Sequence, residues 1–162
     1  MTRYLARHFV LLVALLALVV PGHAPALAQT SAVPYWASLS AEEVNLRVGP
    51  SERFRITWVY RRVGLPVKVL RLQQGWRLIE EQDGTRGWVF NQLLSGARTA
   101  VVSGGELAPM RDGPEADAQL LWNLAPGVIG QLGECRQGFC RLDVDGRAGW
   151  VAAGRLWGAQ EP

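Results

Sequence analysis

An all-β fold, built as two small barrels in tandem behind an export signal, is what this sequence predicts. Three observations carry the prediction. The N-terminus has the make-up of a secretory signal, a unit of about sixty residues then occurs twice, and each unit reads as short β-rich runs between turn residues.

Arg3 and Arg7 precede an apolar run from Phe9 to Val20, which Pro21 and Gly22 interrupt. Ala26-Leu27-Ala28 follows as an A-x-A cleavage site, so residues 1–28 are expected to be a cleaved signal peptide. The apolar run has twelve residues, whereas a spanning helix needs roughly 20. The mature chain is therefore expected in the periplasm or outside the cell, with no membrane anchor. Cleavage leaves 15 basic and 14 acidic residues, so the basic charge of the whole sequence is no argument for nucleic acid binding.

The two histidines, His8 and His23, both fall in the segment expected to be removed. A chain without histidine has no Ser-His-Asp or Cys-His nucleophilic site. Two cysteines alone cannot close a tetrahedral zinc site. No catalytic residues, no metal and no cofactor are expected.

The repeat shows at both ends of the unit. Leu46-Arg47-Val48-Gly49-Pro50 is answered 64 residues later by Met110-Arg111-Asp112-Gly113-Pro114. Asp83-Gly84-Thr85-Arg86-Gly87-Trp88-Val89 is answered 62 residues later by Asp145-Gly146-Arg147-Ala148-Gly149-Trp150-Val151, and Leu94-Ser95-Gly96 by Leu156-Trp157-Gly158. The shrinking offset places a net deletion of two residues between the landmarks. The spacing predicts one unit over 37–97, a linker over 98–105 and a divergent second unit over 106–159.

Within the units, Trp58-Val59-Tyr60, Val67 to Leu70, Trp76 to Glu80 and Gly87 to Phe90 read as strands. Gly64-Leu65-Pro66 marks a turn, and Asp83-Gly84 predicts a type I′ hairpin. Glu115 to Leu124, bracketed by Pro114 and Pro126, reads as a loop leading into a strand. About five strands in so short a unit are expected to roll into a barrel, which removes most exposed edges. Trp76, Trp88, Trp150 and Phe139 are expected in the barrel cores.

Cys135 and Cys140 flank Arg136-Gln137-Gly138-Phe139. With Gln137-Gly138 as a two-residue turn, Arg136 faces Phe139 and Cys135 faces Cys140. Opposed Cα atoms at such a position lie about 4.5 Å apart, within reach of a disulfide. Export permits the bond, and the short loop it closes should contribute about 2 kcal/mol.

Val44 to Pro50, Gly75-Trp76-Arg77 and Gly84 to Val89 together resemble the bacterial Src-homology-3-like (SH3b) domain. Arg111 to Pro114, Cys140-Arg141-Leu142 and Gly149-Trp150-Val151 resemble it more weakly, and the second copy lacks the Val-Asn-Leu run. The resemblance covers roughly Ala37 to Gly158 and implies tandem SH3-like barrels with a binding or targeting role and no catalytic residues. It also implies that the long loop after Gly49-Pro50 borders a ligand groove. Phe54 lies in that loop between Arg53 and Arg55, so Arg53, Phe54, Arg55, Trp58, Tyr60 and Phe90 are the candidate ligand-binding residues. Aromatic faces stack on sugars or prolines, and arginines pair with carboxylates.

Residues 29–100 carry 10 basic and 6 acidic side chains, and residues 101–162 carry 5 and 8. This asymmetry fits docking between the units or an anionic partner for the first. The expected function is non-catalytic recognition of a cell-wall component, peptide or glycan. The alternative is a scaffolding subunit that binds one periplasmic protein.

Overall fold

The structure is a computed structural model that describes residues 32–162. The expected signal peptide, 1–28, lies outside the described residues. Seven strands form the first sheet: β1 (Tyr35–Leu39), β2 (Val44–Arg47), β3 (Ile56–Tyr60), β4 (Pro66–Gln73), β5 (Trp76–Glu80), β6 (Arg86–Phe90) and β7 (Leu94–Ser95). Seven more form the second: β8 (Thr99–Val102), β9 (Ala108–Arg111), β10 (Leu120–Leu124), β11 (Ile129–Arg136), β12 (Phe139–Val144), β13 (Arg147–Ala152) and β14 (Leu156–Trp157). All pairings are antiparallel. The strand orders are β3-β2-β6-β5-β4-β1-β7 and β10-β9-β13-β12-β11-β8-β14. The second order is the first advanced by seven places, so the repeat in sequence is a repeat in topology. The chain is all-β, as expected, with two tandem units.

The repeat extends further back than the sequence landmarks. Residues 98–105, expected as a linker, carry β8, every residue of which is buried. Thr99-Ala100-Val101-Val102 is a short β-branched run whose equivalent is β1, and neither strand contains a repeated motif to mark it. β8 pairs with β11 on one side and β14 on the other, so it is an interior strand of the second sheet.

Each sheet curls around its own aliphatic cluster. The first contains Leu39, Val44, Leu46, Val67, Val69, Ile79 and Val89, with Tyr60 at its margin. The second contains Val102, Met110, Cys140, Leu142, Val151 and Leu156. The tryptophans expected in the cores are buried but belong to neither cluster. Strand alternation explains this. Trp88 sits between Gly87 and Val89, which face the first cluster, and Trp150 sits between Gly149 and Val151, which face the second. Both indoles therefore stand on the opposite side of their sheet. Trp76 does likewise and meets Phe90, ring centroids 5.5 Å apart. Phe139 is only partly buried.

On that outer side the Arg-x-Gly-Pro element finds its physical reason. Arg47 lies opposite Trp88 in register, and its Nη1 donates to the carbonyls of Glu52 (2.9 Å) and Phe54 (2.8 Å). Arg111 lies opposite Trp150 and donates to the carbonyl of Ala118 at 2.7 Å. In each unit one arginine ties the long loop after Gly-Pro back to the sheet face that holds the Gly-Trp-Val indole.

The turns account for part of the deletion. Glu81 and Thr85 close a three-residue loop, Gln82-Asp83-Gly84, in which only Gly84 has positive φ (83°). That is a type I turn with a glycine bulge rather than the expected type I′, which needs two positive-φ residues. In the second unit Val144 pairs with Arg147, and Asp145 (φ 52°) and Gly146 (φ 82°) form the two-residue type I′ turn. One of the two missing residues is lost here. Gln137 and Gly138 also form a two-residue turn, with Arg136 opposite Phe139 and Cys135 opposite Cys140, and the Cys135–Cys140 disulfide is formed.

The two sheets pack together at one joint. Trp36 of β1 meets Trp157 of β14 edge to face at 5.0 Å, and Trp36 Nε1 donates to the carbonyl of Gln160 at 2.7 Å. Arg62, just beyond β3, donates through Nη2 to the carbonyl of Gly127 at 2.5 Å. Gly158 lies so close to the Thr99 carbonyl that a side chain there would collide with it and crowd Pro66.

Candidate functional site

β3 is an edge strand, because the first sheet ends with it. A register shift between Leu46 and Arg47 inserts Thr57 as a bulge, and its hydroxyl donates to the Leu46 carbonyl at 3.2 Å. The bulge leaves Trp58 opposite Leu46 in register, at the edge of the sheet. Trp58 is 60% exposed, the highest value among the large apolar side chains described. An indole in water on a sheet edge forgoes burial worth about 2–3 kcal/mol.

Beside it opens a cleft of about 260 Å³ at the joint of the two units. Trp58, Tyr60, Arg62, Glu81 and Asp83 line it from the first unit, and Val101, Gly127 and Trp157 from the second. Two larger hollows, one beside Arg98 and Cys135 and one beside Ile129 and Asp143, contain no aromatic side chain. This cleft combines an exposed indole with charged groups of both signs.

The polar groups in the cleft are organised. The Tyr60 hydroxyl donates to Glu81 Oε1. Burial lifts the Glu81 carboxyl above the ordinary carboxylate range, a shift that the Tyr60 hydroxyl opposes and the neighbouring Asp83 charge reinforces. Burial, the bond to Glu81 and that carboxylate's charge push the Tyr60 phenol far up, so it stays a donor at every physiological pH. Asp83 is held below its usual range by the Thr85 backbone N–H, at 2.8 Å from Oδ1. At neutral pH the cleft presents an ionised Asp83, a hydrogen-bonded Glu81 and the Arg62 guanidinium. This arrangement can grip a zwitterionic or hydrogen-bonding ligand against an indole wall.

Of the six ligand candidates, Trp58 and Tyr60 meet in this cleft and the other four do not. The Phe54 ring stacks over Gly49, where a Cβ would stand 2.7 Å from it, and so closes the long loop. Arg53 and Arg55 flank it in solvent. Phe90 leans on Trp76 and on the Gln74-Gly75 turn, on another part of the sheet. Sequence reasoning missed Glu81, Asp83 and Arg62 as cleft residues. Their convergence depends on the hairpin turn reaching β3 and on the second unit closing the far wall, and no local spacing encodes either.

A family model described as Bacterial SH3 domain matches residues 40–96 and 104–158. The chain is 23% identical over 139 residues to a Bacillus subtilis (strain 168) protein named "Putative N-acetylmuramoyl-L-alanine amidase YrvJ". That alignment covers 80% of this chain and 27% of the relative, so the chain spans about a quarter of the curated relative's length. Among solved structures, NlpC2 from Trichomonas vaginalis aligns with TM-score 0.35 and 13% identity, over 76% of this chain and 48% of that one. NlpC1 from the same organism aligns with TM-score 0.34 and 12% identity, over 80% and 47%.

Proposed function

This chain belongs to the bacterial SH3 domain family, and from that premise we propose that it is an exported, non-catalytic module that holds cell-wall material in the cleft beside Trp58. The ligand is a peptide or glycan segment of peptidoglycan. The observation that carries this reading is that the exposed Trp58 indole lines one cleft together with Arg62, Glu81 and Asp83. An indole face suits a sugar ring or a peptide plane, while the carboxylates and the guanidinium suit the amine and carboxyl groups of short wall peptides. The relative named for N-acetylmuramoyl-L-alanine supports the same ligand class. Its amidase activity is not part of the proposal, since this chain spans 27% of that protein. Trp58 and Tyr60 belong to the proposed site; Phe54 and Phe90 serve to hold the loop and the turn, and Arg53 and Arg55 extend the basic surface beside it.

Co-sedimentation of the protein with purified peptidoglycan at low salt tests the reading. The expected result is retention in the pellet that Trp58→Ala weakens about tenfold, as for the aromatic centre of an interface. Absence of sedimentation, or equal retention of the variant, would overturn it.

A further inference from the structure

The second unit repeats the cleft in the same place with different chemistry. Trp122 occupies in β10 the position that Trp58 occupies in β3. Each lies at the edge of its sheet, next to a register shift, and opposite an equivalent buried residue, Met110 for one and Leu46 for the other. Trp122 is 42% exposed and borders a hollow of about 200 Å³. Where the first cleft has the Tyr60–Glu81 hydrogen bond, the second has Leu124 and Val144 over Met110. Asp145 and Arg147 stand exposed at its rim, and neither forms an ion pair among the described residues.

An exposed apolar side chain on a sheet edge is a liability that proteins normally avoid. Here both units keep an indole at that point, although the neighbouring positions have changed from Phe54 to Ala118, from Tyr60 to Leu124 and from Glu81 to Val144. A residue needed only for packing would be buried in at least one of the two copies. The shared exposure points to a shared use, and the changed floors point to different parts of one ligand.

We infer that the Trp122 cleft is a second binding site, and that the chain grips one cell-wall polymer at two points. This rests on the proposed wall-binding reading. The floor of the first cleft takes charged groups; the floor of the second takes uncharged, methyl-bearing groups such as alanyl side chains or acetyl groups against Leu124 and Val144. Asp145 and Arg147 match the amine and carboxyl ends of the same peptides. Two sites held in one compact unit make the second engagement intramolecular, which raises retention on a polymer by about 10²–10⁴ over either site alone. A small soluble fragment gains nothing from the linkage.

Two probes separate the possibilities: intact insoluble peptidoglycan, and soluble disaccharide-peptides released from it. Trp58→Ala and Trp122→Ala are each expected to lower apparent affinity for the insoluble polymer at least tenfold, and the double variant to abolish it. In the wild-type protein, the soluble fragment is expected to shift the NMR signals of both indole N–H groups, and each single variant should keep the other's shift. If Trp122→Ala binds the polymer like wild type, or the fragment moves the Trp58 signal alone, the second site does not exist and the wall-binding reading stands. If neither probe binds the wild-type protein, both fall together.

Discussion

Leu46 fills the space in which a side chain at Gly87 would stand: a Cβ there would lie 2.5 Å from Leu46 Cγ. Met110 fills the same space at Gly149, again at 2.5 Å from its Cγ. The glycine of the Gly-Trp-Val element is thus required by close approach across β2–β6 and β9–β13, and the large residue opposite it in each copy is its partner in packing. Gly87→Ala and Gly149→Ala should both destabilise, by about 1–3 kcal/mol, as overpacked cores do. Gly149→Ala should cost more, because its Cβ would also lie 2.8 Å from the Arg111 carbonyl, whereas that of Gly87 would lie 3.1 Å from the Arg47 carbonyl. Urea denaturation of the two variants gives the order. Leu46→Ala combined with Gly87→Ala should be less destabilising than the sum of the two.

The arginine clasps predict a loop-specific effect. Arg47→Ala removes two hydrogen bonds to carbonyls of the loop 48–55 and should cost about 1–3 kcal/mol. Arg47→Lys should recover little of it, since an ammonium lacks the planar fork. Hydrogen exchange should show lost protection in residues 48–55, with the β4–β5 hairpin unaffected. Uniform loss across the first sheet would mean that the arginine supports the whole unit rather than its loop.

How much was legible in the sequence follows from what carries each feature. The duplication, the strand-rich class and the Cys135–Cys140 pairing were readable because turn residues and a repeated Gly-Trp-Val lie next to one another in the chain. Trp88 and Trp150 were read as buried and are; that they stand on the face of the sheet away from the aliphatic cluster was not read, although alternation with Gly87 and Gly149 held the information. Their size argued for the core, but the glycines flanking them mark the crowded face. β8 escaped notice because Thr99 to Val102 has no landmark, only β-branched composition in a stretch that Ser103-Gly104-Gly105 made look like a linker. Trp58 and Tyr60 were named from the sequence and line the proposed cleft; that Arg62, Glu81 and Asp83 join them there was not legible, since a turn and a second unit bring them to the indole.

The cleft carboxylates predict a pH dependence of opposite sign at two residues. Glu81 has a folded-state pKa above its unfolded value, so the folded protein binds the proton more tightly. Its contribution is full below the ordinary carboxylate range and is lost as pH rises through the raised pKa. Asp83 has a folded-state pKa below its unfolded value, so its contribution is present above the ordinary range and is lost in stronger acid. Glu81→Gln should remove the loss at the upper end of this window and leave the acid limb. Tyr60→Phe removes the donor that lowers the Glu81 pKa, so the Glu81 titration followed by NMR should move further up and the loss of stability with it. A downward movement would mean that the phenol does not hold the ionised carboxylate.

The joint between the units offers a matched pair of substitutions. Trp36 and Trp157 meet edge to face, yet their N–H groups differ: Trp36 Nε1 donates to the Gln160 carbonyl, and Trp157 Nε1 is buried with no partner among the described residues. Replacing either by Phe removes a similar volume, so the packing losses largely cancel in the comparison. Trp36→Phe also breaks a hydrogen bond, while Trp157→Phe relieves an unsatisfied donor. Trp36→Phe should therefore be the more destabilising of the two by about 1–3 kcal/mol in denaturant titrations. Because this joint couples the two sheets, the wild-type protein should unfold in a single transition, and Trp36→Ala should broaden or split it. Equal costs for the two Phe variants would show that the Gln160 bond contributes nothing to holding the units together.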